Sequence, residues 1–210
     1  GGGSYGSLSV SGDGRYLAFR TSTDPLGTSV ANDLYLYDRV ADSLQQITQL
    51  AANPPSTVSA PVVSDDGSTI YFTIDDTEHL WRRSSGVVES LGFSVSEPHP
   101  AAASKAVSAG GRFLTFLTDE SLVVDDTNGV RDLYTWDRNT DTVTRISGDG
   151  GLAFIFRPFA VTADGQTIAF VSRDALTSGP DFNGTRNTGH DLFLWHRETA
   201  TYERVTNGTF

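Results

Sequence analysis

Apolar and polar residues alternate along this chain in short runs, and the runs return in phase. Four small polar turns punctuate it: Ser11-Gly-Asp13-Gly14, Ser64-Asp-Asp66-Gly67, Ser108-Ala-Gly110-Gly111 and Thr162-Ala-Asp164-Gly165. Their final glycines lie 53, 44 and 54 residues apart. Three residues after each comes an aliphatic side chain (Leu17, Ile70, Leu114, Ile168), and five residues after each a Phe (Phe19, Phe72, Phe116, Phe170). Side chains of a strand alternate between its faces, so both positions fall on one face. A second aromatic run follows each: Asp33–Tyr37, His79–Arg82, Asp132–Trp136 and Asp191–Trp195. Three of these runs are apolar on both faces, as expected of strands covered from two sides. Closing strands are predicted at Leu44–Thr48, Val87–Leu91, Val143–Ser147 and Tyr202–Thr206. Polar tetrads such as Arg138–Asp141 and Arg197–Ala200 form the hairpin turns before them. A first strand precedes each polar turn, at Tyr5–Val10, Val58–Val63, Lys105–Ser108 and Phe159–Thr162. No convincing helical period occurs; the weak one at residues 40–50 reads better as a turn and a strand.

Four strands per repeat and about 52 residues per repeat match the roughly 40–50-residue periods of propeller blades. The predicted fold class is all-β: a β-propeller built from four four-stranded antiparallel blades, alone or as part of a larger ring. The blades fall at about 5–50, 56–92, 104–148 and 157–207, within a propeller domain of 5–210. Residues 1–4 read as a linker or a processed end, and the lack of Met suggests removal of a leader.

The unit S-x-D-G, strand, D-L-Y-L-Y-D, strand, I-T resembles the WD40-like, TolB-type (PD40) β-propeller repeat over residues 5–206. The resemblance implies a fold, not an activity, because such propellers serve as periplasmic binding proteins, peptidase domains and polysaccharide lyases. Four blades are fewer than the six to eight usual there. A fragment of a larger propeller, a four-bladed ring and half of a dimeric ring all remain open.

Charge and composition narrow the classes. With 15 Lys+Arg against 26 Asp+Glu, the net charge of -11 speaks against binding nucleic acid or an anionic membrane surface. No run approaches the roughly 18–20 apolar residues of a membrane span. The absence of Cys excludes disulfides, thiolate metal sites and thiol nucleophiles.

The loop between the second and third strands varies most, spanning 14, 7, 16 and 21 positions from the marker Phe to the next strand, and such loops carry function. Blade 3 gives Asp125-Asp126-Thr-Asn128-Gly-Val130-Arg-Asp132. Its D-x-N-x-x-x-D spacing resembles the first half of an EF-hand loop and the calcium-type loops of some secreted PD40 repeats. Asp126, Asn128 and Asp132 would give side-chain oxygens and Val130 a carbonyl, which suits hard Ca²⁺. Blade 4 has a stretched version in Asp181, Asn183 and Asp191, with Gly184 and Asn187 between. Blade 1 keeps Asp24, Asn32 and Asp33, and blade 2 only Asp75-Asp76. The alternative for each loop is an Asx-bonded turn without metal.

No catalytic set emerges. Asp13, Asp66 and Asp164 sit in turn signals. Ser64–Thr69 departs from a sialidase Asp-box by its early Gly. The histidines (79, 99, 190, 196) have no metal spacing. Gly27–Ala31 and Gly92–Ser96 lack the final Gly of a nucleophile elbow, and no phosphate-binding Gly motif occurs. Asn183 and Asn207 open formal glycosylation sequons. Trp81, Trp136 and Trp195 share one repeat position, which favours packing between blades over a carbohydrate platform. The expected protein is a secreted or periplasmic, non-enzymatic propeller module that binds protein or polysaccharide, with calcium-ordered loops. The alternatives are an accessory propeller of a larger hydrolase or lyase, and a self-assembling structural repeat. Unpaired blade faces predict a homo-oligomer or a place in a larger chain.

Overall fold

The structure is a computed structural model, and it describes residues 5–27, 32–49, 58–95, 105–149, 159–172, 174–178 and 190–206. Those residues form sixteen strands and no helix. Sheet 1 holds β1 (Tyr5–Val10), β2 (Tyr16–Thr21), β3 (Leu34–Asp38) and β4 (Ser43–Gln46). Sheet 2 holds β5 (Val58–Val63), β6 (Thr69–Ile74), β7 (Thr77–Arg82) and β8 (Val88–Ser94). Sheet 3 holds β9 (Lys105–Val107), β10 (Phe113–Thr118), β11 (Asp132–Asp137) and β12 (Thr142–Arg145). Sheet 4 holds β13 (Ala160–Val161), β14 (Thr167–Ser172), β15 (Asp191–His196) and β16 (Thr201–Arg204). In each sheet the strands pair in chain order as an antiparallel meander. The architecture is therefore the predicted all-β array of four-stranded antiparallel blades.

The polar turns enter the second strand by one repeated device. The hydroxyl of Ser11, Ser64 or Thr162 donates to the carboxylate two residues on and accepts the N–H five residues on. The aspartate accepts a further backbone N–H, from Arg15, Ser68 or Gln166. The closing glycines adopt φ of +64 to +71°, where any Cβ is strained. Where Gly110 replaces the aspartate, Ser108 still accepts the N–H of Phe113. At the same end of sheets 1 and 3, Arg15 forks onto Asp38 and Arg112 onto Asp137, each with 2.9 and 2.7 Å contacts.

The chain divides into two compact units: residues 1–95 with 109–111, and residues 96–108 with 112–210. In the first, Tyr16, Ala18, Leu34 and Leu36 of sheet 1 pack against Ile70, Phe72 and Trp81 of sheet 2. Tyr71 donates to the carbonyl of Gly111 at 2.7 Å. The Arg83 guanidinium lies 4.2 Å from the Tyr16 ring centroid, and a Cβ on Gly67 would stand 1.9 Å from that ring. In the second unit, Leu117, Leu133 and Ile146 of sheet 3 pack against Ile168, Phe170, Phe193 and Trp195 of sheet 4. There Arg197 covers Phe113 at 3.8 Å, and a Cβ on Gly165 would stand 2.4 Å from its ring. Burial pushes Arg197 down to about 10. Each fully buried Leu, Ile or Phe contributes on the order of 1.5–3 kcal/mol, so these blade-to-blade faces hold each unit together.

Candidate functional site

One lock recurs at the start of the third strand. Asp33 accepts the Thr48 hydroxyl (2.7 Å), Asp132 the Ser147 hydroxyl, and Asp191 the Thr206 hydroxyl (2.9 Å). The same hydroxyl oxygen accepts the N–H of Leu34, Leu133 or Leu192 at 2.8–2.9 Å. This explains why the closing strands end at Gln46, Arg145 and Arg204, short of the predicted threonine or serine: the side chain replaces the ladder there. The second carboxylate oxygen faces the side chain thirteen residues on. That partner is Gln46 in sheet 1 at 3.0 Å, Arg145 in sheet 3 and Arg204 in sheet 4 at 3.6 Å.

In sheet 3 the lock opens into the predicted calcium loop. Asp126 is 6% exposed and Asp132 fully buried. Tyr134 donates its hydroxyl to Asp126. Arg145 reaches Asp126 at 3.3 Å, Asp132 at 3.9 Å and the exposed Asp149 at 2.8 Å. Burial pushes the Asp132 carboxyl above its usual range, against the pull of the Ser147 and Asn128 hydrogen bonds. Burial, reinforced by the bond to Asp126, also raises the Tyr134 hydroxyl. Asn128 donates through Nδ2 to Asp132 (2.8 Å), while its Oδ1 accepts the N–H of Val130 (3.0 Å), which is 40% exposed. Gly129 turns the loop at φ +68°.

The structure thus brings Asp126, Asn128 and Asp132 together, with Val130 at the rim. The donor chemistry suits a hard cation. The two buried carboxylates already face the Arg145 guanidinium, and the Asn128 oxygen closes an Asx turn. These residues fit calcium only in exchange for Arg145, which has Asp149 as a second partner. Among the described residues no group of three or more His, Asp or Glu is placed to hold a metal.

The other predicted positions part ways. Asp181 and Asn183 lie outside the described residues, as do Gly184, Asn187, His99 and Asn207. Asp191, the remaining blade 4 candidate, is tied to Thr206 and Arg204. In sheet 1, Asp24 accepts the N–H groups of Leu26 and Gly27, and Asp33 is in its lock. Asp75 and Asp76 both have positive φ (46 and 70°) and form the two-residue hairpin between β6 and β7. His79 Nδ1 meets the Thr77 carbonyl at 2.8 Å, and His196 meets Glu203 at 3.3 Å. Trp81 and Trp195 are buried between sheets, and Trp136 donates to Asp141.

Solved structures share this fold. TolB from Acinetobacter baumannii is 18% identical, over 99% of this chain and 45% of that chain, with a TM-score of 0.54. Dipeptidyl peptidase 4 from Porphyromonas gingivalis is 12% identical over 96% of this chain and 32% of that one, with a TM-score of 0.59. An oligogalacturonate lyase in complex with manganese is 14% identical over 95% and 51%, with a TM-score of 0.55. The fold is that of the TolB-type β-propeller. This chain spans about half or less of each of these three proteins. No family model and no curated protein matches the sequence.

Proposed function

We propose that this chain is a non-catalytic propeller module that works outside the cytoplasm and binds a protein or a surface polysaccharide. The observation that carries the reading is the employment of its repeat-position carboxylates. Asp13, Asp66 and Asp164 brace turns, Asp33, Asp132 and Asp191 lock strands, and Asp38 and Asp137 hold arginines. A carboxylate so committed has little freedom for proton transfer or nucleophilic attack. The net charge of -11 favours cationic or neutral partners over nucleic acid. Calcium is the proposed cofactor at Asp126, Asn128, Val130 and Asp132, entering as Arg145 turns to Asp149; a bound ion would stabilise the loop by mass action. Binding to a polysaccharide and peptide array, with no product formed from any member, is the expected result. Hydrolysis or elimination by the purified chain overturns the non-catalytic reading.

A second reading, an accessory propeller of a larger hydrolase or lyase, draws on the lyase and peptidase among the similar structures and on the partial span of their chains. A catalytic domain encoded in the same reading frame would favour it.

A further inference from the structure

Asn128 and Gly129 stand side by side in the loop between β10 and β11. Asparagine is thermolabile, because the backbone nitrogen of the next residue can attack its side-chain carbonyl carbon. A side chain on that next residue hinders the attack, and glycine has none. The loop leaves the path open. Gly129 is exposed, with nothing within 4 Å of where a Cβ would stand. Among the described residues nothing accepts its N–H, so base in the solvent can remove the proton. Asn128 Oδ1 accepts the Val130 N–H at 3.0 Å, which bends the side chain back over the main chain beside the Gly129 nitrogen. The same bond draws electrons from Cγ and stabilises the negative charge that the oxygen takes up during attack.

The other asparagine of sheet 3 is held differently. Asn139, in the hairpin between β11 and β12, is also exposed. It precedes the β-branched Thr140, which donates its N–H to the Asp137 carbonyl at 3.3 Å. There the attacking nitrogen is both crowded and engaged.

We propose that Asn128 is a self-modification site, where the folded chain converts an amide into a carboxylate inside the acidic loop. The Gly129 nitrogen loses its proton to solvent and bonds to Asn128 Cγ. The Cγ–Nδ2 bond breaks, and the nitrogen leaves as ammonia with a proton from solvent. Water then opens the cyclic imide. Opening at Cγ leaves aspartate; opening at the main-chain carbonyl leaves isoaspartate, with an extra carbon in the backbone. Either product loses the amide that now donates to Asp132 at 2.8 Å. Either one also adds a negative charge beside two buried carboxylates that share Arg145. Carboxylates so close resist joint ionisation unless a cation joins them. The altered loop should therefore bind calcium more tightly, on the order of tenfold, since affinity follows the charge of the ligands. That consequence rests on the calcium reading of the loop; the conversion does not.

The test is peptide mapping of the whole chain after incubation at mildly alkaline pH, at a temperature where circular dichroism shows the strands intact. Trypsin releases residues 113–131, in which Asn128 is the only asparagine. The expected result is the mass gain of an amide-to-acid exchange in that peptide, with an isoaspartate form eluting separately. The peptide holding Asn139 should keep its mass. The 113–131 peptide, cut out beforehand and incubated free, gives the rate without the fold, and the folded chain should convert at a comparable rate. No gain in the folded chain while the free peptide converts overturns the proposal, since the fold then protects Asn128. Equal conversion at Asn139 overturns it as well. Calorimetric titration of Asn128→Asp with calcium alone reads the consequence separately, and tighter binding than in the wild type is expected. A mass gain at Asn128 with no calcium response supports the modification and overturns the calcium reading.

Discussion

Replacing Arg145 with Gln probes the loop of sheet 3 most directly. The guanidinium side chain is 10% exposed and faces two carboxylates that are 2% and 0% exposed. Removing one member of a buried ion pair costs roughly 3–5 kcal/mol, because the remaining charge is left uncompensated. Gln recovers part of this, since Gln46 bonds Asp33 at 3.0 Å from the corresponding position and one hydrogen bond contributes about 1 kcal/mol. The expected net loss is about 2–4 kcal/mol. For a chain of this size that lowers the Tm by roughly 5–15 °C, at 2–4 °C per kcal/mol. Scanning calorimetry in EGTA and then in calcium reads both halves of the argument. Without its competing cation the variant should gain more from calcium than the wild type does, about 2.7 kcal/mol at a hundredfold excess over Kd. A variant as stable as the wild type in EGTA refutes the guanidinium as the neutralising charge. A destabilised variant that calcium does not rescue refutes the metal site.

Three other perturbations test the scaffold. Gly67→Ala should cost more than Gly14→Ala by denaturant unfolding: both incur the left-handed penalty of about 1–2 kcal/mol, and only Gly67 also drives a Cβ into Tyr16. Ser147→Ala leaves a Leu133 N–H and an Asp132 oxygen without their partner, so a loss of about 2–3 kcal/mol is expected, with Ser147→Thr restoring most of it. Arg15 and Arg112 hold Asp38 and Asp137 below the usual carboxylate range, and an acid lowered in the folded state stabilises it above the unfolded value of about 3.9. The Tm should therefore fall as the pH drops through 4, and less steeply in Asp38→Asn and Asp137→Asn variants.

The repeat grammar was legible because it is carried by residues with one dominant use. An S-x-D-G turn needs its hydroxyl, its carboxylate and its positive-φ glycine, and the structure employs all three. The loop of sheet 3 was legible only as a cluster of oxygens. Its chemistry depends on Arg145, which lies nineteen residues from Asp126 across a hairpin and matches no loop motif. The signal that would have found it is the interval itself. Asp33 and Thr48, Asp132 and Ser147, and Asp191 and Thr206 each stand fifteen apart, with a polar side chain two residues before the hydroxyl. Read that way, Asp132 and Asp191 are strand locks first, since Asp33 does the same work in a sheet with a different loop. Asp75 and Asp76 were similarly ambiguous, because an acidic pair can bind a cation or turn a chain, and only the backbone angles show the turn.

The strand lock also bears on how the chain acquires its structure. Its ends are fifteen residues apart, the turn brackets span two to five, and the arginine forks twenty-three to twenty-five. Each closes inside a single sheet. Such contacts form with little loop-closure entropy, so a blade can gain its internal order before it meets a neighbour. Stability then adds blade by blade, as in other linear repeats, and hydrogen exchange should divide the amides by sheet. A gene carrying such units can gain or lose one at a seam without breaking a single lock.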